Sequence, residues 1–518
     1  MYCVNLQMGV KMGSIKIGWA SRDVSTDKPI NIPGQFHMRI SKGVLDPVTT
    51  TALVVDNGSD LAIFLSADLV VIRCGLLDEV RAAVAARNPE IPVEKILMNA
   101  THTHAGPSHY SDGGRDKNNN TSTAQAGEVP HDGVEIASSD EYREYLAGQA
   151  ADAICEAYAG RSAGGISYGY GFAVVSHSRR VVYFDDLSKR PGVVKNSTHG
   201  LHGHAAMYGN TNDPNFSHYE AGADHFSNFL FTFDPNGKLT GAIVNVPCPS
   251  QNSENIYMLS ADYWHDVRVA LRKKYGDIFI LPQSAAGGDL SPRILHYRQA
   301  QARRFALKYG EGIETEMAAR RDIAERIAVS FDEVLGWASR DIKSDLPLKH
   351  VVKTVYLSRR LITDEEAAGA RAGLAEAEKV PFVTEGEPMA RLRSNSLIVA
   401  GVNRFKRVLD RYEKQKVEPK MPMELHVLRI GDVAFASNRF ELYMDFQHRM
   451  QARSPFLQTF IVQLAGQPGS DGGTYLCTER GAWGKGYSAS MFCNLVSPQG
   501  GQELVEETLS ILHELNGE

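Results

Sequence analysis

The sequence predicts an α/β fold of mixed sheets with flanking helices, organised as one large unit spanning residues 1–518. Three observations carry this expectation. Short apolar runs of strand character alternate with segments of helical spacing along the whole chain. One stretch near the start reads as a strand-helix-strand unit. No proline-rich linker, internal repeat or coiled-coil heptad divides the pattern, and a hydrophobic content of 43% over 518 residues is enough to bury a large core.

Taken in order, TTTALVVDN (49–57) and LAIFLSADLVVI (61–72) read as buried strands, and LLDEVRAAVAARNP (76–89) as a helix stopped by Asn-Pro. KILMNATHTH (95–104) returns as a strand. Residues 108–140 are rich in Gly, Asn, Ser and Asp and predict a long loop or lid, followed by a helix over 139–160. Strands and loops fill 165–250, including a histidine-rich insert, THGLHGH (198–204). A helix over 258–275, a strand running into a loop over 278–293, charged helical sequence over 298–338 and further helix over 363–415 come next. A hairpin leading into a helix spans 425–450.

The charge balance excludes one class of partner. With 55 Lys and Arg against 61 Asp and Glu, a net charge of −6 and no long basic run, the chain has no footprint for nucleic acid. No apolar run is long enough for a signal-peptide core or a membrane span, and six scattered cysteines form no CxxC pair. The expectation is a soluble cytoplasmic protein without disulfides, acting on a small molecule, possible as a homo-oligomer.

The segment NATHTHAGPSHY (99–110) raises the question of chemistry. His102 and His104 share one face if the segment is extended, and Gly-Pro then ends the strand. Ligands in α/β proteins sit outside the carboxyl ends of strands, which is where this pair falls. Taken alone, such a pair equally suits a strand with one satisfied core histidine. GGDLSP (287–292) alone suits a turn or a helix cap, and Tyr475 and Tyr487 alone suit packing.

Together, THTHAGP (101–107), GGDLSP (287–292) and YLCTERGAWGKGY (475–487) resemble the neutral, non-lysosomal ceramidase family, zinc-dependent amidases that release a fatty acyl group from sphingosine. The resemblance spans nearly the whole chain and implies a ceramidase-like catalytic domain, without the immunoglobulin-like C-terminal domain of that family. It implies one zinc ion, with His102, Glu441 and Tyr475 as metal ligands. His104, Ser291, Tyr487 and Arg179 would be catalytic, with Arg180 as the alternative arginine in SHSRRVVYF and a substrate-binding residue beside Asp289 and His204. Two departures stand out: VPCPSQ (246–251) lacks the family's second zinc histidine, and Phe440 precedes Glu441 where the family has glycine. His104, Cys248 or a residue of the insert bearing His199, His202 and His204 would complete the site.

Such residues suit a metal-dependent hydrolase cleaving an N-acyl amide bond of a small polar or lipid-like substrate by metal-activated water. Zinc lowers the pKa of bound water to about 7. His104 would move the proton, Tyr487 and Arg179 would stabilise an oxyanion, and Ser291 would act as nucleophile or anchor. A uronate lyase or glycosidase on the same scaffold is the alternative. A third possibility is a binding protein that has lost its metal. Glu220 and Asp224, four apart on a possible helix, read as an exposed acidic pair without function.

Overall fold

The computed structural model describes residues 12–113, 123–192, 203–469 and 472–517. Three mixed sheets meet at a shared apolar centre, and the period-two alternation of their strands shows how. In Leu61–Ala67, Ile63 and Leu65 face the helices Leu76–Arg87 and Ser139–Ala159, while Ala62 and Phe64 face the centre. In Phe226–Phe233, Phe229 and Phe231 pack on the helix Thr315–Ala338, while Leu230 faces the centre. In Lys420–Ile430, Leu425 and Val427 pack with the helix Pro498–Asn516, while Leu428 and Ile430 face the centre. Phe435 joins two of the inner faces, tilted against Phe64 at 5.0 Å and stacked on Phe460 at 4.3 Å.

Each sheet contains one parallel pair in an otherwise antiparallel order: Leu61–Ala67 with Ile96–Ala100, Leu239–Val246 with Phe279–Ser284, and Val433–Ser437 with Gln458–Val462. Polar side chains bind these pairs to one another. Ser66 Oγ and Asn99 Nδ2 donate to Pro282 O at 2.6 and 3.2 Å, and Asn245 Nδ2 donates to Ile461 O at 2.9 Å. The Gln463 N–H donates to Ser284 O at 3.0 Å. The carboxyl ends of all three pairs therefore open onto one place, the location expected for a ligand site in an α/β protein.

Most elements fall where the sequence predicts them, and the departures have causes. The strand expected over 61–72 stops at Ala67, because the next residue, Asp68, is drawn into a turn. Its buried carboxylate accepts from the Thr49 N–H at 2.8 Å and pairs with Arg268. The helical span expected over 298–338 is two helices, Arg298–Tyr309 and Thr315–Ala338, and that over 363–415 is Asp364–Ala377 and Pro388–Lys414. The helix expected from 258 begins at Tyr263. The long strand Asp345–Ser358 and the helix Pro498–Asn516 have no counterpart in the sequence reading. The 425–450 hairpin is present, with Gly431 at φ 63° in its two-residue loop. The five described cysteines are free thiols. Among the described residues no helix is long and apolar enough to cross a membrane.

Candidate active site

The two histidines lie beyond the strand, which ends at Ala100. His102 itself adopts a left-handed φ of 63°, a conformation costly for a residue with a Cβ and one that clusters at functional sites. A turn, rather than one face of an extended segment, thus brings the imidazoles together, edge to face with centroids 4.9 Å apart. The turn is held on both sides. Thr103 Oγ1 donates to Ser260 O at 2.8 Å, and the buried Arg39 guanidinium donates to His104 O at 2.9 Å.

Backbone and carboxylate acceptors set both tautomers. His102 Nδ1 lies 2.6 Å from Val70 O, which only accepts, so Nδ1 carries a proton and Nε2 faces the cavity. His104 Nδ1 likewise donates to Glu254 Oε2 at 3.1 Å. Its Nε2 receives the side-chain amide of Gln251 at 2.9 Å. Burial holds His104 at a pKa of about 4, so it is neutral at pH 7. Burial would raise Glu254, but His104 and Arg293 outweigh it and hold the carboxyl far below its ordinary range.

Glu441 and Tyr475 come from the third sheet's side of the cleft. They are Cα partners in a two-residue parallel ladder, Glu441–Leu442 against Tyr475–Leu476, so their side chains share a face. Glu441 Oε2 lies 3.4 Å from His102 Nε2 and 3.6 Å from Arg179 Nη2. Burial would raise its pKa, yet His102, Arg179 and Tyr475 together hold it at about 2. Arg179 is fully buried and donates to Tyr475 Oη at 3.3 Å, Tyr208 Oη at 3.2 Å and Gly288 O at 3.0 Å. Tyr487 packs edge to face on Tyr475 with centroids 5.6 Å apart, and burial keeps both phenols protonated.

One cavity is lined by His102, His104, Glu441, Tyr475 and Tyr487, and a second, adjoining at His104, by Arg179, Tyr208, Gln251, Glu254 and Arg293. Four other residues named from the sequence line neither. Arg180 forms a bidentate pair with Glu220 at 2.7 and 2.8 Å and donates to Lys485 O and Tyr487 O, turning the 476–486 loop back so that Tyr487 meets Tyr475. Asp289 is buried, accepting from the Met444 N–H at 3.0 Å, and burial raises its carboxyl to about 7. Ser291 is fully buried and its hydroxyl accepts from the Arg293 N–H at 3.1 Å, the turn-capping arrangement. His204 stacks on Trp483 at 4.8 Å.

Further sequence expectations sit differently in the structure. Cys248 is fully buried with its thiol donating to Val175 O at 3.1 Å, and it lines neither cavity. Glu220 and Asp224 are buried rather than exposed, and no helix carries them. Asp224 accepts from Gln447 at 2.7 Å. His199 and His202 lie outside the described residues. Gln251, Glu254 and Tyr208 escape the sequence reading; the only signal for the first two is their position in CPSQNSEN, just past the strand Leu239–Val246.

Among the described residues no three His, Cys, Asp or Glu side chains are grouped to hold a metal ion. A metal held here would need a ligand of another type. The His102–Glu441 contact at 3.4 Å is long for a hydrogen bond. It matches instead the separation of about 3.3–3.4 Å between neighbouring donors on a tetrahedral zinc with bonds of about 2.0–2.1 Å. Tyr475, beside Glu441, is the third donor available.

The chain is similar in fold to a neutral ceramidase from Pseudomonas aeruginosa, with a TM-score of 0.64 at 16% identity over 97% of this chain and 75% of that one. A ceramidase complexed with C2 gives a TM-score of 0.61 at 15% identity over the same shares of the two chains. No protein-family model and no curated protein sequence matches the chain.

Proposed function

We propose that the chain is a zinc-dependent hydrolase that cleaves the N-acyl amide bond of a small lipid-like substrate in the His102–Glu441 cleft. The observation that carries this reading is the close approach of His102 Nε2 and Glu441 Oε2, 3.4 Å apart, the spacing of two donors on one cation. The ceramidase fold of the two neighbours supports the choice of an amide bond. His102, Glu441 and Tyr475 fit a zinc ion with a fourth position left to solvent. Zinc, when bound, supplies a hydroxide nucleophile at neutral pH and polarises the scissile carbonyl.

The rest of the chemistry belongs to the chain. Neutral His104 offers Nε2 as a proton acceptor once Gln251 yields, and Glu254 stabilises the imidazolium that forms. The protonated Tyr487 hydroxyl donates to the oxygen on which charge develops. Arg179 holds Glu441 and Tyr475 in register and adds positive charge beside them.

The test is elemental analysis of the purified protein and of His102→Ala, paired with chromatography of dodecanoate released from an N-dodecanoyl amide. One zinc per chain, lost in the variant together with acyl release, is the expected result. Zinc retained by His102→Ala, or zinc-loaded protein that frees no dodecanoate, overturns the reading.

A further inference from the structure

Two cavities meet at His104, and their walls differ in character. The one containing His102 and Glu441 carries an apolar wall in Val70, Val71, Leu464 and Phe492. The adjoining one, of about 540 Å³, is lined by the side chains of Gln35, Tyr208, Gln251, Glu254, Asn255 and Arg293. An amide whose nitrogen lies at the junction, beside His104, places its acyl half against the apolar wall and its amine half in the second cavity.

The charges around that second cavity are already matched. Arg293 Nη2 pairs with Glu254 and also donates to Gln251 O at 3.0 Å. Glu254 Oε2 accepts from His104 Nδ1 at 3.1 Å and from Gln35 Nε2 at 2.7 Å. Arg179 is engaged by Glu441 and by the hydroxyls of Tyr208 and Tyr475. A charged ligand group would have to break one of these pairs and leave its partner poorly solvated, which is costly.

The walls offer neutral hydrogen-bonding capacity instead. Gln35 donates to Glu254, and its amide oxygen meets no donor among the described residues. Asn255 is exposed at the cavity wall, and its side-chain amide has no partner among the described residues. The Arg293 side chain is 38% exposed with both its printed contacts on Nη2, so its Nε and Nη1 donors face outward from the ion pair. Tyr208 stands among these groups at a left-handed φ of 54°, held by its N–H donating to Arg179 O at 2.7 Å. Backbone strain of this kind is retained where the surroundings enforce it, and it clusters at ligand clamps. Donors and acceptors interleaved around an aromatic ring, with the ion pairs closed, complement a compact group rich in hydroxyls.

We infer that the second cavity binds the amine half of the substrate and that this half is a neutral polyhydroxylated amine, which makes the substrate a lipid-like N-acyl amino sugar. The inference rests on the amide-hydrolase reading for the bond that is cut. There, water supplies a hydroxyl to the acyl carbon, the C–N bond breaks, and the nitrogen receives the remaining proton through His104, giving a carboxylic acid and a free amino sugar.

Three probes of one acyl length test it: N-octanoylglucosamine, N-octanoylcyclohexylamine, which keeps a six-membered ring without hydroxyls, and N-octanoylglycine, which carries a carboxylate. Their binding to the zinc-loaded protein is measured by calorimetry, and their hydrolysis by chromatography of released octanoate. The glucosamine probe is expected to bind at least tenfold more tightly than either of the others. Its preference over the cyclohexyl probe should shrink at least threefold in Gln35→Leu and in Asn255→Leu, with Asn255→Ala, at an exposed position, as the mildest version of the same change. Glucosamine binding equal to or weaker than either other probe, binding of no probe, or a preference unchanged in all these variants overturns the subsite. Selective binding of the glucosamine probe without octanoate release leaves the subsite standing and removes the hydrolase reading; equal binding and equal hydrolysis of all three probes does the reverse.

Discussion

Gln251 donates its side-chain amide to His104 Nε2 at 2.9 Å, while its amide oxygen accepts from the Tyr208 hydroxyl at 3.1 Å. The departure in VPCPSQ thus has a structural counterpart. No histidine stands there, but three residues after Cys248 an amide holds the His104 ring that faces His102. Gln251→Leu removes a supporting partner rather than a ligand, so zinc content should stay at one per chain while turnover falls about 10–100-fold. Loss of zinc from that variant would place Gln251 among the ligands.

Gly288 explains the glycine-rich turn before Ser291. A Cβ there would lie 2.3 Å from Glu441 O, so the two backbones approach as only glycine allows. Gly288→Ala should cost about 1–3 kcal/mol in urea unfolding and, by shifting Glu441, reduce zinc affinity as well. Unchanged unfolding and metal binding would show that the strand of Glu441 is free to move.

Ser291 offers a sharper decision. Its hydroxyl caps a turn and lines neither cavity, so Ser291→Ala should cost about 0.5–2 kcal/mol of stability and leave turnover within a few-fold of the parent. A loss of several thousandfold, with zinc still bound, would instead make Ser291 a nucleophile reached by rearrangement.

Asp289 predicts a pH dependence. Its folded pKa, about 7, exceeds the ordinary value of 3.8, chiefly through burial and then through Glu220 and Asp445. The folded state therefore holds this proton more tightly than the unfolded chain. Its stabilising contribution is complete below pH 3.8, falls as pH rises and is lost by about pH 7. Asp289→Asn removes this slope, so its stability relative to the parent should rise between pH 5 and about pH 8 in denaturant titrations. A constant difference across that range would mean that Asp289 is ionised throughout.

Phe435 is fully buried where two sheets meet, and Phe435→Ala should cost about 3–5 kcal/mol. Thermal unfolding reads the loss; a shift of only a degree or two would mean that the centre collapses around the cavity.

The sequence by itself determined the alternation of strands and helices, the strand-helix-strand unit and the placement of His102 and His104 at the end of a strand, which the structure shortens to Ala100. These follow from local periodicity and from turn residues, which act over a few positions. The grouping of His102, Glu441, Tyr475 and Arg179 was foreshadowed only by the resemblance, since nothing local ties residues hundreds of positions apart. Tertiary structure alone decided which neighbours each side chain meets. Arg179 turns into the site while Arg180, one residue on, points to the opposite side of its strand and is saturated by Glu220 and the 481–487 backbone. Ser291 caps a turn, and Asp289 holds the first residue of the helix Met444–Arg453. Gln251 and Glu254 entered the site because three parallel strand pairs converge there, and that convergence is a property of packing between sheets that no single segment encodes.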